Sequence, residues 1–345
     1  MEAQYKKYIL NFKRPSGTSR GVLRQKETYF IKLTDGKRVG IGECGLFKGL
    51  SLDDVPHYEQ QLNKVCKTLQ KGDDISELCV DFPSIQMGVE MAMLSLKASN
   101  PFQLFDTTFS RGIQPLSING LIWMGDMDFM RQQVFEKIES GFECIKLKIG
   151  ALDFELECKL LAEIRSRYTK EHVTLRVDAN GAFLASEALE KLQQLSLLDI
   201  HSIEQPIAAG QHNALAELCA HTPLPIALDE ELIGVLELSE KAALLDRINP
   251  QYIILKPSLL GGFQASEEWI KLAEERKIGW WITSALESNI GLNAIAQWTA
   301  SLHTAMPQGL GTGSLFTNNI ESPLVVSEGF LRYDINQNWN NTLDF

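Results

Sequence analysis

Several common signals are missing from this sequence of 345 residues. Its six cysteines form no C-x-x-C pair and show no spacing typical of metal ligands. No run of 18 apolar residues occurs, and the first seven residues contain no apolar signal region. We therefore expect a chain that does not enter a membrane and that resides in the reducing cytoplasm.

Positive charge is also scarce. The chain has 33 Lys and Arg against 44 Asp and Glu, which gives a net charge of −11, and it contains no basic tract. This balance argues against a nucleic acid as the partner. A small anionic substrate would instead need a locally basic pocket. Oligomeric state stays open, and a homo-oligomer is compatible with the sequence.

From about residue 116 onward, short apolar runs alternate with amphipathic stretches. The predicted strands cover residues 116–124, 143–149, 173–178, 201–204, 225–229, 252–256, 279–284 and 308–312. Such alternation is typical of parallel pairing, and near-continuous apolar runs suit strands buried on both faces. Eight strands with seven helices between them predict an α/β fold, a TIM-like (β/α)7β barrel over residues 113–315.

The first 112 residues have a different pattern. Residues 8–11 and 28–33 are predicted strands, residues 34–37 a hairpin turn, and residues 56–69 and 84–97 helices. This indicates an N-terminal α+β capping domain over residues 1–112. The remaining residues, 316–345, are too few for a domain, so we expect this C-terminal tail to pack on the capping domain and complete it.

Charged residues stand near the ends of five successive predicted strands. They are Lys146, Lys148, Asp178, Glu204, Asp229 and Lys256. The gap between successive strands is one βα unit, so each strand advances the set by one position around a barrel. The carboxyl ends of barrel strands point into one mouth, where active sites lie. A single charged residue at a strand end is usually a solvated rim residue, but this coincidence on five strands favours a site.

The residue types restrict the chemistry. Three converging carboxylates need a compensating cation, and oxygen ligands without His or Cys favour Mg²⁺ over Zn²⁺. We expect the neighbouring lysines to have lowered pKa values, because the ion, the other lysines and burial all disfavour the ammonium form. A neutral amine can then act as a base.

At these residues the sequence resembles the enolase superfamily, in particular its muconate-lactonizing subgroup. The resemblance covers the whole chain. It implies that Asp178, Glu204 and Asp229 bind Mg²⁺, for which Mn²⁺ can substitute. It further implies that Lys148 is the catalytic base, that Lys146 is its neighbouring lysine and that Lys256 acts from the opposite face.

Within that subgroup the chain is most similar to the o-succinylbenzoate synthase family. The similarity lies in the segments at residues 14–24, 40–45, 284–292 and 309–316. One departure is Glu231, where many relatives have a small hydroxyl residue. The resemblance implies a lyase of menaquinone biosynthesis, in which Lys148 takes a proton α to a carboxylate and then protonates the departing hydroxyl group.

Substrate contacts are predicted for Ser284, Ser288, Gly311 and Arg20. Ser284 and Ser288 could equally cap the following helix, and a glycine-rich loop or a single surface arginine is weak evidence. An N-acylamino acid racemase would use the same lysines and carboxylates. A dipeptide epimerase would have an Asp-x-Asp pair that residues 309–313 lack. A cycloisomerase is a further alternative, and a non-catalytic binding barrel would be expected to lose one of the six residues.

Overall fold

The computed structural model describes residues 1–18, 21–340, 343 and 345. Its N-terminal part begins with an antiparallel sheet of three strands, β1 (Glu2–Thr18), β2 (Gly21–Thr34) and β3 (Val39–Cys44), with β2 in the centre. Asp35 accepts hydrogen bonds from the backbone N–H groups of Lys37 and Arg38 at 2.9 and 2.7 Å. This side chain shapes the turn between β2 and β3, and the predicted hairpin is confirmed.

Three helices accompany this sheet: α1 (Tyr58–Lys71), α2 (Ser76–Cys79) and α3 (Pro83–Lys97). Leu62 and Leu69 of α1 are buried in one core with Ile31 and Leu33 of β2. Helix α3 lies directly on β3, because a Cβ atom on Gly42 would come within 1.9 Å of a backbone carbonyl oxygen of the helix. Glycine is therefore required at position 42.

The larger part of the chain is built on a parallel sheet of seven strands arranged in chain order. They are β5 (Gly120–Ile122), β6 (Cys144–Lys148), β7 (Thr174–Asp178), β8 (Ser202–Glu204), β9 (Ile226–Leu228), β10 (Tyr252–Leu255) and β11 (Gly279–Ile282). The connecting helices are α4 (Met127–Glu139), α5 (Phe154–Arg167), α6 (Ala185–Ser196), α7 (His212–His221), α8 (Leu238–Ile248), α9 (Pro257–Leu260), α10 (Gly262–Glu275) and α11 (Asn289–Ser301). This is an α/β fold, as the sequence predicts.

Both edges of the parallel sheet meet one short segment. Gln308 bridges to Ile118 beside β5, and Gly309 bridges to Thr283 beside β11, in parallel orientation in both cases. The prediction of a full strand over residues 308–312 is wrong, since these residues form isolated bridges. Part of the reason is that glycine favours strands weakly. In addition, the Gln308 side chain accepts a hydrogen bond at 2.7 Å from the backbone N–H of Ile282.

The predicted strand at residues 116–124 is divided. β4 (Leu116–Ser117) pairs antiparallel with β13 (Phe330–Tyr333), which pairs with β12 (Leu324–Ser327). The C-terminal segment also contacts the N-terminal sheet, since Phe316 bridges to Phe12 and Asn318 donates to the carbonyl of Ile9 at 2.7 Å. The tail thus contacts both parts of the molecule. The domain boundaries at residues 112 and 315 stay predictions.

Side-chain caps begin several helices after the strands. Asp126 accepts the N–H of Phe129 at 2.9 Å and starts α4, and Asp153 accepts the N–H groups of Glu155 and Leu156 and starts α5. These caps fix the residues at which the two helices begin. Within the described ranges, no helix is both long and apolar enough to cross a membrane.

Candidate active site

Strand alternation and register place the charged residues in one row. Lys146 and Lys148 are two residues apart on β6 and therefore project from the same face of the strand. In the register of the sheet, Lys148 is opposite Asp178 and Asp178 is opposite Glu204. Asp229 and Lys256 come directly after β9 and β10. The row thus lies at the carboxyl end of the sheet.

Ion pairs join the six side chains into two neighbouring groups, one of four residues and one of two. The ammonium nitrogen of Lys146 lies 2.9 Å from Asp178 Oδ2 and also donates to Glu204. Lys148 donates to Asp178 Oδ2 at 2.8 Å, and Lys256 donates to Asp229. The structure therefore brings together all six residues that the sequence singles out.

The surrounding carboxylates determine the pKa values of two of the lysines. Burial would lower the pKa of Lys146, yet the attraction of Asp178 and Glu204 outweighs it and raises that pKa. The pKa of Lys256 is raised likewise, because Asp229 and Glu204 overcome the effect of burial. The expectation of lowered pKa values concerns lysines beside a bound cation, so it stays a prediction.

The pKa values of two of the carboxylates, Asp178 and Glu204, are shifted in opposite directions. Burial disfavours the charged form of Asp178, but Lys146 and Lys148 hold its pKa well below the usual range. Burial and the nearby Asp178 charge raise the pKa of Glu204 well above its ordinary value. Glu204 Oε1 is buried and has no hydrogen-bond partner in the described part of the chain. Buried polar atoms rarely lack partners, so this oxygen indicates a place for a cation.

These carboxylates do not form a closed metal cluster in this arrangement. Across residues 1–18, 21–340, 343 and 345, no three His, Cys, Asp or Glu side chains are grouped closely enough to hold an ion. Each of Asp178, Glu204 and Asp229 is turned toward a lysine instead. The donor set is nevertheless of the type that hard divalent ions prefer, with oxygen atoms alone.

A cavity of about 440 Å³ opens above this row. Lys148 and Lys256 line it from the parallel sheet, and Lys13 and Phe47 line it from the N-terminal part. Its apolar wall includes Trp123, and it has basic groups at its base. A mostly apolar cavity with a few convergent charged groups is typical of a site for a small organic anion.

The four predicted substrate contacts have different positions relative to the cavity. Ser284 and Gly311 line the cavity. Ser288 is wholly buried: its hydroxyl donates to Glu43 and accepts the N–H of Ile290, so this residue caps α11. Of the two alternatives for Ser288, the helix cap is therefore confirmed and the substrate contact is corrected. Arg20 lies outside the described residues.

Sequence reasoning missed several polar residues of the cavity, among them Asn180 and Glu230. Asn180 accepts a hydrogen bond from Lys148 at 2.6 Å and donates to Glu230 at 3.0 Å, and both residues line the cavity. Asn180 has a positive φ of 44°, a backbone conformation that asparagine adopts more readily than most residues. Its position two residues after Asp178 was the available signal.

Comparison with known proteins identifies the class. A family model described as enolase C-terminal domain-like matches residues 130–339, and one described as the MenC N-terminal domain matches residues 2–96. The o-succinylbenzoate synthase of Desulfotalea psychrophila is 47% identical, over 96% of this chain and 98% of that protein. The chain therefore belongs to the enolase superfamily, whose members use a divalent metal ion. Within it, the chain belongs to the o-succinylbenzoate synthase family.

Solved structures agree with this assignment. The crystal structure of MenC from Desulfotalea psychrophila superposes with a TM-score of 0.86 at 43% identity, over 96% of this chain and 99% of that one. The L-Ala-D/L-Glu epimerase from Bacillus subtilis superposes with a TM-score of 0.83 at 20% identity, over 96% of each chain. At that lower identity the likeness concerns the fold alone.

Proposed function

We propose that the protein is an o-succinylbenzoate synthase of menaquinone biosynthesis. It would convert 2-succinyl-6-hydroxy-2,4-cyclohexadiene-1-carboxylate to 2-succinylbenzoate and water. The observation that carries the proposal is that Lys148 and Lys256 line one cavity together above the row of Asp178, Glu204 and Asp229. The 47% identity to an o-succinylbenzoate synthase supports this reaction over other reactions of the superfamily.

The architecture that goes with this function is a (β/α)7β barrel. Seven parallel strands and the bridges at Gln308 and Gly309 support it, because those bridges connect the first strand to the last. The N-terminal sheet and α1–α3 form the capping domain, which contributes Lys13 and Phe47 to the cavity. The contacts of residues 316 and 318 with β1 support a tail that completes the cap.

Asp178, Glu204 and Asp229 would hold the divalent ion, which we propose is Mg²⁺. The unpartnered Glu204 Oε1 and the oxygen-only donor set fit such an ion. When bound, the ion supplies positive charge that stabilises the negative charge developing on the substrate carboxylate. It also offsets the mutual repulsion of the three protein carboxylates.

Lys148 carries the proton through the reaction. As the neutral amine it takes the proton from C1 of the ring, next to the carboxylate. As the ammonium it then donates that proton to the hydroxyl group leaving C6, so that water departs and the ring becomes aromatic. One lysine can perform both steps when the proton and the hydroxyl group leave from the same face. Lys256 stabilises negative charge from the other face.

Turnover of the cyclohexadiene is the direct test of the proposal. Purified protein with Mg²⁺ should form the aromatic product, which is followed by its ultraviolet absorbance. The Lys148→Ala variant, folded to the same extent by circular dichroism, serves as the control and should be inactive. Absence of product with the unaltered protein would exclude this function.

A racemase of N-acylamino acids is the second candidate, since it would use Lys148 and Lys256 as two bases on opposite faces. The two functions are separated by comparing kcat/KM for the cyclohexadiene with that for an N-succinylamino acid in D₂O. We expect the cyclohexadiene to be far the better substrate. A higher kcat/KM for the amino acid would reverse this order.

A further inference from the structure

A second group of buried charges lies where the N-terminal sheet meets the loop after β11. It consists of Lys26 of β2, Glu43 of β3 and Glu287, with exposed fractions of 6%, 0% and 0%. None of the three takes part in the lysine–carboxylate row. Burial of charge is costly unless the charges compensate one another and their hydrogen bonds are made. This cost indicates that the group has a role in the protein.

Glu43 caps a helix of the other part of the molecule. Its carboxylate accepts hydrogen bonds from Ser288 N at 2.9 Å, from Ser288 Oγ at 2.5 Å and from Gly291 N at 2.9 Å. A Cβ atom on Gly291 would lie 2.8 Å from Glu43 Oε2, so only glycine permits this approach. The start of α11 is thus held by a carboxylate of the N-terminal sheet.

Glu287 connects two loops at the carboxyl end of the parallel sheet. It accepts a hydrogen bond from Ser258 Oγ at 2.6 Å and from Ala285 N at 2.7 Å. Ser258 lies two residues after Lys256, and Ala285 lines the cavity. Gly45, which directly follows β3, packs on this junction, since a Cβ atom there would lie 2.6 Å from Ser258 Oγ.

Lys26 supplies the opposite charge without a directed bond. Its ammonium nitrogen is buried and makes no hydrogen bond within the described residues. Burial lowers the pKa of Lys26, while the charges of Glu43 and Glu287 act to raise it. Lys26 projects from the same face of β2 as Thr28, two residues further on, and the Thr28 hydroxyl donates to Glu43 at 2.8 Å. The buried ammonium group therefore lies on the side of the sheet that carries Glu43.

We propose that Lys26, Glu43 and Glu287 are positioning residues that set substrate affinity from the capping side. They hold the loop of residues 284–288, of which Ser284, Ala285 and Leu286 line the cavity. This inference rests on the proposed function. Because Lys148 lies on β6, away from that loop, loss of the cluster should weaken binding more than it slows proton transfer.

Replacement of Lys26 by Met tests the inference, because Met keeps most of the stem and removes the charge. Lys37→Met is the matched control, since Lys37 is exposed in the turn between β2 and β3. In Lys26→Met we expect KM for the cyclohexadiene and Kd for 2-succinylbenzoate to rise at least tenfold, while kcat stays within threefold. If Lys26 served stability alone, Lys26→Met would change the melting temperature. KM, Kd and the rate of hydrogen exchange at the loop amides would then stay unchanged.

A double variant tests the charge balance. Glu287→Gln with Lys26→Met removes one charge of each sign, so Kd for 2-succinylbenzoate should return to within threefold of the unaltered protein. This variant also decides the matter if Lys26→Met alone does not fold. The inference is overturned if Lys26→Met has the same KM and Kd as the control, or if its kcat falls while KM and Kd stay constant. It is also overturned if the double variant neither folds nor recovers the Kd of the unaltered protein.

Hydrogen exchange separates this inference from the proposed reaction. The amides of Ala285, Ser288 and Gly291 are bonded to the two buried carboxylates. They should exchange at least tenfold faster in Lys26→Met than in Lys37→Met. This comparison needs no substrate, so it decides the positioning role even if the cyclohexadiene is not turned over. Equal exchange in the two variants would overturn the positioning role.

Discussion

At the scale of single residues, the surroundings of Lys148 define what a substitution should do. Its ammonium group is held between Asp178 Oδ2 at 2.8 Å and Asn180 Oδ1 at 2.6 Å. These two acceptors orient the nitrogen toward the cavity that Lys148 lines. A group that must lose and regain a proton cannot be replaced by one that stays charged.

Lys148→Arg should therefore be as inactive as Lys148→Ala. A general base contributes roughly 10²–10⁴-fold to a rate, and a guanidinium does not lose its proton near neutral pH. Lys256→Arg keeps the charge that this residue contributes, so it should recover part of the activity lost in Lys256→Ala. Steady-state kcat of the four variants measures this. Substantial activity in Lys148→Arg would mean that another group is the base.

The buried carboxyl group of Asp53 should make the stability of the protein depend on pH. This buried carboxylate accepts hydrogen bonds from Ser84 N and Oγ at 2.9 and 2.6 Å, and burial raises its pKa to about 6. A carboxyl group whose pKa is higher in the folded state destabilises the fold as the pH rises from about 4 to 6. Asp53→Asn should remove this loss.

Urea unfolding at pH 4.5 and pH 7.5 measures the effect. The unfolding free energy of Asp53→Asn is compared with that of the unaltered protein at each pH. From pH 4.5 to pH 7.5 this difference should change by about 1–3 kcal/mol in favour of the variant. The exposed Asp81→Asn serves as the control and should show no such difference. A gain that is equal at both pH values would contradict the assignment to Asp53.

Residue spacing predicted the charged row well and its partners less well. Lys146, Lys148, Asp178, Glu204, Asp229 and Lys256 could be found because each recurs once per βα unit. Asn180 and Ser288 could not be placed in this way. Asn180 has an uncommon positive φ, and the partner of the Ser288 hydroxyl is Glu43, 245 residues away in sequence. The catalytic and metal-binding roles of the six stay proposals.

At the scale of elements, Glu231 joins the loops that follow β8 and β9. Its carboxylate accepts a hydrogen bond from Gln205 Nε2 and from Gly210 N, each at 3.0 Å, and His212 Nε2 lies 3.0 Å away. This residue is the departure from the family pattern noted in the sequence. Its bonds explain the change, because a carboxylate reaches groups that a short hydroxyl side chain would not.

Glu231→Ala should leave one N–H of the buried Gln205 amide without a partner, whereas the exposed N–H of Gly210 can bond to water. The loss of a partner by a buried group costs about 1–3 kcal/mol, so the variant should be destabilised by about that amount in chemical unfolding. Glu240→Ala, an exposed glutamate of α8, is the control and should change stability by less than about 0.5 kcal/mol. Equal stability of the two variants would show that the loops do not depend on Glu231.

Most elements of the parallel sheet were predictable to within one or two residues. Residues 143–149 were predicted for β6, which covers Cys144–Lys148, because an apolar run flanked by turn residues is a strong signal. The last predicted strand, at residues 308–312, was not predictable in this way, because glycines interrupt its pattern. Bridges made by Gln308 and Gly309 hold that segment, and such contacts depend on distant strands.

At the scale of the whole molecule, the cavity is assembled from both parts of the chain. Lys13 and Phe47 reach it from the N-terminal part, and Lys148 and Lys256 from the parallel sheet. Phe316 and Asn318 connect the C-terminal segment to β1. A sequence predicts such an arrangement through family resemblance, because no local pattern encodes which surfaces of two parts of a chain meet.

Removal of divalent ions from the intact protein tests the central claim most directly. The claim is that Asp178, Glu204 and Asp229 hold an ion on which turnover of the cyclohexadiene depends. Product formation should be lost after exhaustive dialysis against a chelator, and added Mg²⁺ or Mn²⁺ should restore it. Glu204→Gln, folded to the same extent, should stay inactive at the same ion concentration. Full activity of the chelated protein would contradict the account.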